Sequence, residues 1–349
     1  MVRRAALPAL LGILILGSLG LRPPAGPPKP PARLSETGLY ASDGRIAADA
    51  LPYSPQYPLW SDGAGKGRWI HLPQGQAIDG LDLGAWRFPV GTRLWKEFVF
   101  GGRRVETRML WLARPGQWVY AAYAWRPDQS DADLVPEEGQ RDAVALGNGL
   151  HHDIPSLEDC RSCHATGGPE VLGFTALQLS PDRDPNAPHA EPLTPDMVTL
   201  ASLIRRGLLK TAEAPALLAA PPRIAAASPT ERAALGYFVG NCAFCHQPSN
   251  PIPHVALDLR HTAAAERGLG AVGQASFHSV PGAEAPQALC PGDPARSAVL
   301  YRMASRSPSS QMPPLGTVLP DAEALALMKR WIAELKDAPA MRAKGSSRP

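Results

Sequence analysis

One five-residue pattern occurs twice in this chain, as Cys160-Arg161-Ser162-Cys163-His164 and as Cys242-Ala243-Phe244-Cys245-His246. Together the copies use four of the five cysteines. Two thiols separated by two residues, with a His directly after them, suit the covalent attachment of haem. The thiols form thioethers to the porphyrin vinyl groups and the His becomes an axial iron ligand. The pattern therefore predicts two covalently bound haem c groups, held by Cys160, Cys163 and His164 and by Cys242, Cys245 and His246. Paired Cys-x-x-Cys motifs also occur in zinc ribbons, but 78 residues separate Cys163 from Cys242 here. Zinc and disulfide chemistry both leave the two adjacent His residues unexplained. Cys290 has no motif partner and reads as a small buried hydrophobe or a free thiol.

Length allows two or three domains in 349 residues. The net charge of +3 is spread over interspersed signs, which gives no basic surface for nucleic acid. The 39 prolines predict long irregular connections and short helices. Arg3 and Arg4 precede an apolar run from Ala5 to Leu21, the pattern of an export signal or of a short membrane anchor. Residues 1–22 are read as that signal or anchor and 23–50 as a proline-rich linker.

Residues 51–149 hold seven of the eight tryptophans and dense strand signals. Strands are expected over Gly67–Leu72 and Gln117–Trp125. Thr92–Phe100 and Arg103–Leu112 read as a hairpin closed by Gly101-Gly102. A small antiparallel β domain follows. Lys96, Glu97, Glu106 and Arg108 read as a solvated face or a cross-strand ion pair rather than a catalytic cluster.

Residues 150–227 read as a loop-rich segment around the first motif, with Gly147–Pro155 as loop. The axial partner of His164 stays open between His151, His152, His189, Met197 and no protein ligand at all. A helix is expected to start at Thr194-Pro195-Asp196 and carry Leu200, Leu203, Ile204 and Leu208. Ser228-Pro229-Thr230-Glu231 begins a helix that runs into the second motif. Asp321 begins the last helix, with Leu325, Met328, Ile332 and Leu335 at helical spacing. Met303 and Met328 read as core, and residues 338–349 as a disordered tail.

Residues 228–337 resemble a class I cytochrome c domain in their order of helix, Cys242–His246 motif, long loop, short helix, Met-bearing loop and final helix. The resemblance implies an all-α domain. Its first and last helices would cross through Ala234, Phe238 and Trp331, and Met312 in Gln311-Met312-Pro313-Pro314 would be the sixth iron ligand. The stretches Tyr57–Ala64, Trp86–Phe98 and Val105–Arg108, taken with both motifs, resemble bacterial diheme c-type cytochromes with a β-rich N-terminal region. That resemblance spans most of residues 35–337. The fold expected is thus α+β and multidomain: a β domain, a first-haem segment and an all-α domain. The function implied is electron transfer outside the cytoplasm, in the periplasm, with an exported redox protein or dehydrogenase as partner. A peroxidase-like enzyme or haem sensor with an open first haem is the alternative.

Overall fold

A computed structural model describes residues 26, 28–165, 171–248, 257–267 and 269–336. The expected signal or anchor, the tail after residue 337 and the loop directly after the first motif lie outside these residues. Among the described residues no helix is long and apolar enough to cross a membrane.

The chain first forms β1 (Leu51–Pro52), β2 (Gly65–His71), β3 (Ile78–Asp79), β4 (Arg93–Phe100), β5 (Arg103–Arg114), β6 (Gln117–Trp125) and β7 (Ala132–Leu134). All but β3 belong to one six-stranded sheet in the order β1-β2-β4-β5-β6-β7, every pair antiparallel. The expected hairpin is present, and Gly101 and Gly102 both take positive φ, the backbone that a two-residue turn between twisted strands needs.

Strict alternation gives the sheet two different faces. On the back face Trp69, Trp95 and Met109 stand in register across β2, β4 and β5. They pack with Tyr123, Leu34 and Leu39. Leu34, Leu39 and Ala50 are buried, so the segment expected as a linker contributes side chains to the core. On the front face the row Ile70–Leu94–Leu110 meets Leu179, Val198, Leu200 and Leu203 from the segment after the first motif. A short parallel pair of β3 with β10 (Leu209–Lys210) fastens that segment to the sheet.

Between these parts lie the hairpin β8 (Gln140–Gly147) with β9 (Leu150–Ile154), and α1 (Leu157–His164). The expected loop before Cys160 is therefore a hairpin, turning at Asn148-Gly149 where both residues have positive φ. The boundary expected at residue 149 falls inside that turn. α2 spans Leu200–Arg205 and not the turn from Thr194, because Thr199 and Ser202 form the capping box. α3 (Ala214–Ala219), α4 (Pro229–Asn241), α5 (His261–Arg267), α6 (Ala298–Ala304) and α7 (Ala322–Glu334) follow.

The expectation of a separate all-α class I cytochrome domain is corrected. The protein is β-rich, built on the six-stranded antiparallel sheet, and no all-α domain is evident. Only α4 and α7 reach 13 residues, and much of the chain between α5 and α7 is irregular. The physical reason lies in the core. Phe238 of α4 meets Trp331 of α7 edge to face at 5.7 Å, and Ala234 and Met328 are buried beside them. Yet Tyr57, from the connection between β1 and β2, belongs to the same cluster. Its ring lies where a side chain on Gly236 would stand, and its carbonyl where one on Gly240 would. Trp60 N–H donates to Asn241 Oδ1 at 2.7 Å. The helices thus complete their packing with N-terminal residues instead of closing on themselves.

Candidate functional site

The two motifs reach the site by different local structures. Ser156 caps α1 and forms a capping box with Asp159, which fixes the first turn. Cys160, Cys163 and His164 then stand at i, i+3 and i+4, on one side of that helix. The second motif begins where α4 ends. Ser228 accepts from Glu231 N–H at the helix start, Pro229 occupies the first turn, and Cys242 is the C-cap. Cys245 and His246 N–H both donate to Cys242 carbonyl, at 3.1 and 2.9 Å, which winds Cys242–His246 into a tight turn.

Both triplets open onto one cavity of about 930 Å³. Cys160, Cys163, His164, Cys242, Cys245, His246 and Met312 all line it. Cys163 and Cys245 are close enough for their charged forms to repel. Burial raises the pKa of all four thiols, Cys163 to about 11 and Cys242 to about 12. Among the described residues no group of three or more His, Cys, Asp or Glu side chains is placed to hold a metal ion. His246 has its pKa lowered by burial and by Arg302, so its ring is the neutral, ligating form. Its Nδ1 is buried without a hydrogen-bond partner. Tyr120 lies over His164 with ring centroids 5.6 Å apart. A mainly apolar cleft lined by two thiol pairs, two imidazoles and a thioether, with an orphaned ring nitrogen, fits haem c in its donor set and its polarity.

The Met312 loop is pinned at both ends. Met312 N–H donates to Arg302 carbonyl at 2.9 Å, and Arg302 Nε to Ser310 carbonyl at 3.0 Å. At the far end Asp62 Oδ1 accepts from Val318 and Leu319 N–H, both at 2.9 Å, and Trp60 Nε1 donates to Leu319 carbonyl at 3.0 Å. Met303 also borders the cavity but is buried in the helical core, as expected. Cys290 is a buried free thiol.

None of the four side chains considered as partners of His164 lines the cavity. Both nitrogens of His152 face carboxylates, Nε2 to Glu106 at 3.0 Å and Nδ1 to Asp62 at 3.4 Å. His151 is paired with Asp142 at 3.3 Å. His189 is bound to Asp321 at 2.9 Å and stacked on Trp60 at 4.8 Å. Met197 sits in the turn closed by its N–H on Thr194 carbonyl.

Sequence reasoning missed the front-face charges. Lys96, Glu106 and Arg108 are not a solvated face; Glu106 is fully buried. Arg108 grips it through Nε at 2.9 Å and Nη2 at 2.6 Å. Burial alone would raise the Glu106 pKa, but Arg108 and the His152 hydrogen bond bring it below the ordinary value. For His152 burial acts downward, and the hydrogen bonds from Asp62 and Glu106 outweigh it and raise the pKa. The chain Arg108–Glu106–His152–Asp62 thus runs from the first motif to the end of the Met312 loop. Glu97 points to the other face, as the register requires. A signal existed in the sequence: 96, 106 and 108 share one parity within the hairpin. His261, which lines the cavity beside the second motif, was also missed.

No protein-family model, curated protein or solved structure matches this chain. The residues themselves carry what can be said of its class.

Proposed function

We propose that the protein is an exported diheme c-type cytochrome that carries electrons between redox partners. The observation that supports this reading most is the shared cavity: two complete Cys-x-x-Cys-His triplets, 78 residues apart in sequence, face the same cleft. A carrier needs its redox centres within tunnelling reach of each other, and the opening of both triplets onto one cavity supports that arrangement. Bound there, haem iron supplies a one-electron couple between ferric and ferrous states.

The chain's own residues have separable tasks in this reading. The four cysteines tether, and His164 and His246 ligate. Met312, soft and held by the pinned loop, is the second ligand at the His246 site and favours the reduced state. The apolar lining excludes water. The N-terminal basic and apolar run, Arg3 to Leu21, supports export to the periplasm as a cleaved signal or as an anchor. Attachment of haem c outside the bacterial cytoplasm agrees with that placement. The partner is then an exported redox protein or dehydrogenase.

A second reading, a haem enzyme or sensor with an open first site, draws on one observation: His151, His152, His189 and Met197 all lie away from the cavity. Spectra of the reduced protein with and without carbon monoxide separate the two. Two low-spin haems indifferent to carbon monoxide support a carrier. One haem that binds it supports a catalyst or sensor.

A further inference from the structure

Three cations stand side by side on the front face. Arg68 of β2 is in register with Lys96 of β4, and Lys96 with Arg108 of β5. At the usual strand spacing the row spans roughly 10 Å. All three side chains line the cavity. Lys66 is one pair further along β2, facing Phe98 across the ladder.

Like charges opposite each other on adjacent strands repel, and burial makes each more costly. The protein compensates only part of this. Glu106 takes Arg108, and Glu191 takes Arg68 through Nη1 at 2.7 Å. Arg68 is only 5% exposed, and its Nη2 is buried without any partner. Among the described residues Lys96 has no carboxylate partner; its ammonium rests 4.8 Å from the centre of the Phe98 ring. Burial and then the neighbouring Lys66, Arg68 and Arg108 hold its pKa well below the ordinary lysine value. A row with one orphaned guanidinium nitrogen and one unpaired amine, walled by apolar side chains and open to a cavity, is incomplete without an anion.

We propose that Arg68, Lys96 and Arg108 form a carboxylate-binding row, and that its occupants are the propionate carboxylates of the haem held by Cys160 and Cys163. This identity of the occupant rests on the diheme reading. Placement favours it. The Arg108 end lies by the first motif, where its charge reaches both Cys160 and Cys163. Arg68 lies two strands beyond. Haem c carries its thioethers and its propionates on opposite edges of the ring, so a ring tethered beside Arg108 and Lys96 directs its carboxylates along the row toward Arg68, whose Nη2 has no partner among the described residues. Arg supplies a planar fork for a carboxylate and Lys a point charge, each stronger in a site that excludes water.

The test uses the purified full chain and the variants Arg68→Gln, Lys96→Met and Lys96→Arg. Covalent haem is counted first, which judges the diheme reading by itself. With two haems present, Arg68→Gln and Lys96→Met shift the reduction equilibrium of one haem toward the oxidised state by about tenfold, or about 59 mV for one electron. They also move the propionate bending bands in the resonance Raman spectrum, Lys96→Arg restores both, and added acetate leaves the wild-type spectrum unchanged. A saturable acetate effect on wild type that both charge-removing variants lose would keep the carboxylate row and assign it to a free carboxylate. If no haem is present, acetate binding by calorimetry, lost in Arg68→Gln, decides the row alone. Lys96→Gln replaces Lys96→Met if the latter does not accumulate. Wild-type potentials and Raman bands in the variants, with no acetate response in any protein, overturn the proposal.

Discussion

The two Cys-x-x-Cys-His triplets are identical in pattern and unlike in surroundings. The second is set beside the helical core, where α4 ends, and the cavity that it shares with the first is also lined by Met312, on a loop tied to Asp62 and Trp60. The first is set on α1 against the charged front of the sheet, with Arg108, Lys96 and Tyr120 about it. In the proposed reading the second site would offer iron a soft second ligand. The other offers fixed charge and no Met or His among the residues that were expected to supply a ligand. The pattern decides attachment, and the scaffold decides what the attached group can do.

The comparison can be broken most directly at the thiols. Replacing Cys160 and Cys163 with Ala is expected to halve the covalent haem count, and replacing Cys242 and Cys245 to halve it independently. A loss of both haems from either double variant would mean the sites form as a unit. Removing the carboxylate beneath the first site comes next. Glu106→Ala leaves the half-buried Arg108 and the buried His152 without their carboxylate, and is expected to cost about 1–3 kcal/mol in denaturant unfolding, with the Met312 site spectrally unchanged.

Met312→Ala is expected to open the second iron to carbon monoxide and lower its potential, without altering the first. If the protein stays low-spin at an unchanged potential, Met312 is not the ligand and the cavity-lining His261 becomes the candidate. Gly236→Leu forces a side chain into the Tyr57 ring and is expected to cost about 1–3 kcal/mol. An unchanged midpoint would mean that α4 does not depend on Tyr57 for its packing.

The smallest effect is a pH dependence. The raised pKa of His152 means that its contribution is complete below the unfolded value near 6.5 and is lost as pH rises through the folded value. The lowered pKa of Glu106 means that its contribution is present above the ordinary carboxylate value and is lost as acid passes the folded value. His152→Gln is expected to remove the alkaline limb, of about 1 kcal/mol or less, and leave the acid limb.

Much of this was legible in the sequence because it is local. The hairpin over residues 92–112, the strand Gln117–Trp125 and the start of α4 at Ser228 follow from turn, alternation and capping chemistry. What was not legible depends on tertiary placement. Nothing local says that Tyr57 fills the gap beside Gly236, so the helical region read as a closed all-α domain. Asn148-Gly149 is a local turn signal that the reading of Gly147–Pro155 as loop passes over, whereas nothing local buries Glu106 beneath His152. The cation row needed the register of three strands, and Arg68 lies 28 residues before Lys96. That all six attachment residues meet in one cavity is equally a property of the whole fold.

The most direct test of the central claim is the mass of the intact chain purified from a host that attaches haem c, with the haem quantified as its pyridine complex. The account predicts two covalently bound haems per chain, one lost with each pair of cysteines. A chain that carries no covalent haem, or one that carries zinc on its four motif cysteines, would contradict it.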